Sequence, residues 1–197
     1  MLGLVILLVV VAVLAFWVIG IYNGLIRARR GYENAFAQID VQLTRRYDLI
    51  PNLVETAKAY MKHESQTLEA VIAARNSAMN GLKAAQAHPG DAAAMQTLAA
   101  SEGQLTGALG RLMAVAEAYP DLKANQNMMQ LQEELASTEN RIAFSRQAYN
   151  DAVTAYNIKR EQFPDSFVAN SFGFAASEQW VLENPEARQP VKVSFTG

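Results

Sequence analysis

From Leu2 to Tyr22 every residue is apolar or aromatic except Gly3 and Gly20, and no charged side chain appears before Arg27. As a helix this stretch rises roughly 30 Å, about the thickness of one hydrocarbon core, so it is long enough to cross a bilayer. The rival reading is a cleaved signal peptide. Against it stand the missing basic leader, an apolar run longer than a usual signal core, and no small-residue cleavage site at its end. The sequence therefore predicts a transmembrane anchor, with residues 1–26 as anchor and juxtamembrane segment. Arg27, Arg29 and Arg30 follow it at once. The positive-inside rule then places the body in the cytoplasm and the N-terminus outside, with a body on the periplasmic or outer side as the alternative. Trp17 and Tyr22 suit the membrane–water interface, and the arginines could touch anionic headgroups, though a topology signal alone is the plainer reading of them.

At 197 residues the chain has room for one domain beside the anchor. A formal net charge of -2 gives no indication of nucleic-acid binding. Without cysteine there is no disulfide framework, thiol nucleophile or thiolate metal site.

Past the anchor, Tyr22, Leu25, Arg29, Tyr32, Phe36, Ile39, Leu43 and Tyr47 recur at steps of three and four, a helical face of the coiled-coil kind. No proline interrupts the run, so anchor and first helix are expected to be continuous. At Pro51 two readings compete. Asp48 can cap a new helix whose first turn tolerates the proline, or one longer helix passes through it with a kink. The reversal is favoured, with Asp40, Arg45, Arg46, Asp48 and Pro51 as a structural hinge.

A second stripe then runs through Ile50, Val54, Ala57, Met61, Glu64, Leu68, Val71, Arg75, Met79 and Leu82 to the Ala-His-Pro-Gly-Asp run ending at Asp91. Asp91 can cap a third helix carrying Met95, Leu98, Glu102, Leu105, Leu109, Leu112, Ala116 and Tyr119. A fourth, begun by Asp121 or Asn125, carries Met128, Leu131, Leu135, Ile142, Tyr149, Val153, Tyr156 and Phe163. Short connections between such stripes imply antiparallel neighbours. The expected fold is all-α: a transmembrane helix continuous with an up-and-down antiparallel four-helix bundle over residues 27–163, then an aromatic-rich C-terminal tail over 164–197. One tension remains. Helix one beyond Tyr22 would rise roughly 38 Å and helix two, from Leu49 to Gln86, roughly 57 Å. Helix two must then break, near Asn80 and Gly81, or its hairpin with helix three must reach the membrane surface or project beside the bundle.

Gly103, Gly107 and Gly110 cost helix stability unless close packing requires them. Another helix of the bundle is the default partner and another protomer the sharper option. In the tail, Phe167, Phe172, Phe174 and Trp180 would be poor solvent-facing residues as a group and are expected to fold back over one end of the bundle. Pro190 to Phe195 alternates as P-V-K-V-S-F, so Val191, Val193 and Phe195 could add to a sheet edge in another chain, although a flexible tail is the plainer reading of the run alone.

Little here suggests catalysis. His63 and Glu64 are adjacent rather than spaced as a bundle metal site requires, and Thr67 stands where H-E-x-x-H needs its second histidine. No nucleotide fingerprint or nucleophile elbow is present. No enzymatic activity, cofactor or metal is expected. The polar residues on apolar stripes, Arg29, Glu64, Arg75, Glu102 and Glu139, are costly to bury unpaired, which favours charge pairs that fix helix register over a small-ligand pocket.

Several segments together resemble the LemA family: Q-I-D-V-Q-L-T-R-R-Y-D-L-I-P-N-L-V from Gln38, Y-N-G-L-I-R-A-R from Tyr22, H-E at His63, A-Y-P-D-L-K-A-N from Ala118, L-Q-E-E-L-A-S-T-E-N from Leu131, and A-Y-N-D-A-V-T-A-Y-N from Ala148. The likeness covers essentially the whole chain. It implies a single-pass protein of the bacterial cytoplasmic membrane with a four-helix bundle and no accepted enzymatic activity. It also suggests association with a membrane quality-control peptidase.

The sequence thus points to a membrane-anchored scaffold or adaptor whose partners are the lipid bilayer, further copies of itself and other membrane proteins, with no nucleic acid. The alternative is an envelope-stress or ligand sensor with a polar pocket around Glu64, Arg75 and Glu139.

Overall fold

The computed structural model describes residues 1–181, and all its regular structure is helical. Val191, Val193 and Phe195, expected to pair with a sheet edge, lie outside the described residues. Helix α1 spans Leu2–Lys58, α2 Ser65–Ala87, α3 Ala92–Ala116, α4 Pro120–Lys123, α5 Gln126–Glu161 and α6 Asp165–Ser171. Asp91 caps α3 by accepting from the Ala94 amide at 2.9 Å, and Asn125 caps α5 by accepting from Met128 at 3.1 Å. These short polar side chains satisfy amides that have no intrahelical partner.

The reversal expected at Asp48–Pro51 does not occur. α1 passes through Pro51 to Lys58, and the chain turns instead over residues 59–64. Proline in a helix interior removes an amide and orphans the carbonyl four residues earlier, here that of Tyr47. Arg75 of α2 supplies the missing donor: its Nε donates to Tyr47 O at 2.7 Å. The helix tolerates Pro51 because a neighbouring helix completes its hydrogen bonding. Asp40, Arg45, Arg46 and Asp48 therefore lie on a continuous helix and form no hinge.

Moving the turn removes the length mismatch. α1 beyond Tyr22 rises roughly 55 Å and α5 roughly 54 Å, whereas α2 and α3 rise roughly 35 and 38 Å. Residue pairings show α1 antiparallel to α5, with Phe36 against Tyr149 and Arg46 against Glu139, and antiparallel to α2, with Asp40 bonded to Gln86. α2 packs along α3. A Cβ added at Gly81 would stand 2.5 Å from Ser101 Oγ and 3.3 Å from Leu98 Cα, so this glycine, inside an unbroken α2, permits the close approach of that hairpin. A Cβ added at Gly103, Gly107 or Gly110 would meet no other part of the body within 4 Å, which overturns their expected close packing on another helix of the bundle.

The core follows the predicted stripes. Leu25, Ile39, Leu43, Ile50 and Leu53 of α1 are buried with Val71, Leu98, Leu105, Leu112, Tyr149 and Val153. Burial of each such side chain contributes about 1.5–3 kcal/mol. Arg29, placed on the stripe by spacing, faces outward and pairs with Glu33 at 3.0 Å. Residues from Leu2 to Ile19 are exposed apart from a partly covered Val18, and α1 is a helix long and apolar enough to cross a membrane.

The α2–α3 turn reaches only the level of Tyr32, whose ring lies 3.2 Å from the position a Cβ on Gly90 would take. That leaves roughly 15 Å of α1 and α5 uncovered toward Tyr22. α6 and the start of the irregular segment 172–181 cover this portion. Phe174 is buried there and Trp180 farther along α5, beside Asn150, while Phe167 and Phe172 remain exposed.

Candidate functional site

The polar residues that belong to the core meet around Arg46. Arg46 Nη1 donates to Glu102 Oε2 at 2.9 Å, Nη2 donates to Thr106 Oγ1 at 3.1 Å, and Nε stands 2.9 Å from Glu139 Oε1. The last contact is an ion pair without a well-aligned hydrogen bond. Tyr47 donates its phenol proton to the other oxygen of Glu102 in a short hydrogen bond. The side chains of Arg46 and Glu102 are each 3% exposed, and that of Glu139 is 44% exposed. One guanidinium on α1 thus engages α3 and α5 at once.

Burial pushes the Glu102 carboxyl above the ordinary glutamate range. Arg46 and the Tyr47 hydroxyl oppose that shift, and Glu139 adds to it. Burial, followed by the charge of Glu102, raises the Tyr47 phenol far above its usual value and keeps it a donor. The cluster holds the Tyr47 hydroxyl against the Glu102 carboxylate, and burial keeps the proton on the phenol. Its geometry is suited to fixing the register of three helices: losing one partner strands a buried charge, at a cost of about 3–5 kcal/mol.

The hinge residues separate around this cluster. Arg46 is its centre. Arg45 makes an exposed ion pair with Glu134 at 3.7 Å, Asp40 accepts from Gln86 at 2.7 Å, and Asp48 is exposed. Glu64, Arg75 and Glu139 do not converge. Glu64 accepts from Tyr119 at 3.4 Å, Arg75 serves the Tyr47 carbonyl, and Glu139 faces Arg46. The expected pocket around those three is corrected to a cleft of about 150 Å³ beside Arg46, lined also by Glu102, Thr106, Glu139, Arg146 and Trp180. Trp180 closes one side, and its Nε1 finds no acceptor among the described residues. Among the described residues no group of three His, Asp or Glu side chains could hold a metal ion.

Trp180 is brought to the cleft by a hydrogen-bond ladder that sequence reasoning missed. Segment 174–180 lies along α5, where Tyr156 donates to Ala175 O at 2.7 Å and Tyr149 donates to Glu178 O at 2.8 Å. Asn157 exchanges two hydrogen bonds with the Ser177 backbone, and Asn150 does the same with Trp180. Glu178 N donates to Gly90 O at 2.8 Å, tying the segment to the α2–α3 turn. The available signal was the repeated A-Y-N of residues 148–150 and 155–157. Seven residues apart is two helical turns, so both Tyr-Asn pairs face the same way.

A family model described as LemA family matches residues 35–195. The chain belongs to the LemA family. Among curated relatives, the protein LemA of Metamycoplasma hominis is 24% identical over 159 residues, covering 81% of this chain and 68% of that protein. The magnetosome protein MamQ 2 of Paramagnetospirillum magneticum is 34% identical over 102 residues, 52% of this chain. MamQ of Magnetospirillum gryphiswaldense is 31% identical over the same length. These magnetosome matches span 37% of the relatives' own length. The family match includes the Arg46 cluster, the Pro51–Arg75 device and both Tyr-Asn pairs.

Proposed function

We propose that this LemA-family chain is a single-pass, membrane-anchored helical scaffold or adaptor without catalytic activity, mediating protein–protein contact or self-assembly at the bacterial cytoplasmic membrane. The supporting observation is the continuity of α1, which leaves its exposed apolar stretch and becomes, without a break, the spine of the core. The body is an up-and-down four-helix bundle of α1, α2, α3 and α5. Its distal end stands roughly 55 Å from the span. An open groove of about 470 Å³ lies there, lined by Tyr60, Asp121, Asn125 and Asn127. Arg27, Arg29 and Arg30 favour a cytoplasmic body and an outside N-terminus. Candidate partners are further copies of the chain, through the uncovered face of α3 at Gly103, Gly107 and Gly110, and a membrane quality-control peptidase.

Blue-native electrophoresis with crosslinking in native membranes tests the scaffold reading. A reproducible assembly supports it, and a strictly monomeric chain that captures no partner counts against it. Reporter fusions at the C-terminus read the topology. A second reading, a small-ligand sensor, is favoured by the cleft beside Arg46 and the unsatisfied Trp180 Nε1. An experimental structure in lipid whose cleft is packed shut, or holds water alone, would sink it.

A further inference from the structure

The end of the body nearest the span carries aromatic side chains that the core does not use. Phe163 is 80% exposed, Phe167 68% and Phe172 58%. Phe163 and Phe167 touch edge to face with ring centroids 6.0 Å apart. Phe172 meets Tyr22 at 5.1 Å. A soluble body gains nothing by holding such a group in water.

Their height relative to the span is set by the packing. Lys159 near the end of α5 crosses Gly24, with its Cε 2.8 Å from where a Cβ would stand. α5 is antiparallel to α1, so the chain beyond Lys159 moves toward the apolar stretch, and α6 packs on α1 there. Val18 and Ile21, both within the uncharged run, pack against the core. The base of the body therefore overlaps the last turns of a segment whose length only just fills a hydrocarbon core. Exposed Phe16 and Trp17 lie beside that level on α1. Arg27, exposed and without an ion pair among the described residues, stands roughly 8 Å further out, at headgroup height.

We propose that Phe163, Phe167 and Phe172, carried by α6 and its flanks, sit in the boundary between headgroups and acyl chains of the bilayer that α1 crosses, as a second membrane contact seating the body on the surface. Continuity with the apolar span and the exposed cation above it favour lipid as the occupant over a second copy of the chain. The proposal rests on the reading that α1 spans the membrane.

The absence of cysteine lets single-cysteine variants of the full chain be nitroxide-labelled at one site each. The variants are Phe163→Cys, Phe167→Cys, Phe172→Cys, Val9→Cys within the span, and Phe144→Cys. Phe144 is also exposed, at 77%, but stands roughly 30 Å above the base. In vesicles of mixed neutral and anionic lipid, collision rates with oxygen and with a water-soluble nickel chelate report depth. The three base labels should show an oxygen-to-nickel ratio several-fold above that of Phe144, with Val9 higher still. Base labels matching Phe144 would overturn the proposal while leaving the anchor intact. Base labels shielded from both reagents would overturn it in favour of contact between copies. A water-accessible Val9 label would overturn both the proposal and the anchor reading.

Discussion

Pro51 and Arg75 form a pair whose coupling can be measured. The perturbation is Arg75→Met, which keeps the aliphatic stem but removes the donor from the Tyr47 carbonyl, 2.7 Å away. The donor is cationic and the contact partly buried, so its loss should cost about 1.5–3 kcal/mol. In a chain of this size that corresponds to a fall in Tm of roughly 3–12 °C. Pro51→Ala restores an amide at position 51 that can bond to the same carbonyl. In that background Arg75→Met should cost less than about 1 kcal/mol, because no orphan acceptor is created. Pro51→Ala alone should stabilise by less than the full penalty of about 3 kcal/mol for proline in a helix interior, since Arg75 already satisfies the carbonyl. The assay is thermal unfolding of the full chain in detergent, followed by circular dichroism for all four members of the cycle. Equal losses from Arg75→Met with and without Pro51 would refute the assignment and leave Arg75 as an ordinary surface-edge residue.

Glu102 has a folded-state pKa raised by burial, so it binds its proton more tightly folded than unfolded, and its contribution to stability falls as pH rises from about 4.3 through the folded value. The stability of wild type relative to Glu102→Gln should therefore decline over that window, as read by unfolding midpoints at a series of pH values. In a Trp17→Phe background, Asn150→Ala with Asn157→Ala removes four hydrogen bonds from the 174–180 segment. Trp180 fluorescence should shift to the red and limited proteolysis should cut within that segment; an unmoved spectrum and an intact segment would contradict the ladder. Gly81→Ala and Gly103→Ala should differ in sign. The first forces α2 from α3 and lowers Tm, whereas the second meets open space and gains about 0.8–1 kcal/mol of helix propensity in the detergent-solubilised monomer. Loss of a crosslinked assembly on Gly103→Ala would mark that face as the contact between copies.

How much could be read in advance differs between elements for physical reasons. The buried faces of α1, α3 and α5 were legible because burial leaves a period in the sequence, and Asp91 and Asn125 because a cap acts on amides within three residues. Pro51 was misread because local chemistry permits both outcomes. A contact 28 residues away in sequence decides between them, since only Arg75 makes an internal proline tolerable. Charged residues on apolar stripes were correctly suspect as a class, yet spacing placed Arg29 inward and gave no partner for Glu102. Arg46 was singled out for a corner and proved to be the centre of the buried cluster. The 174–180 segment escaped pattern reading because side-chain amides and phenols of α5 hold its backbone, and backbone recognition imprints no period on the segment held.

The unbroken passage of α1 from apolar stretch to distal turn makes the chain a lever with no swivel. A single span commonly tilts by about 20°, and a rigid arm of roughly 55 Å converts that angle into a sideways excursion of roughly 19 Å at residues 59–64. On the proposed spanning topology, anything that changes the tilt of the span, bilayer thickness included, becomes a sideways displacement of the distal turn. A base that grips the membrane surface would stiffen the fulcrum and narrow that arc.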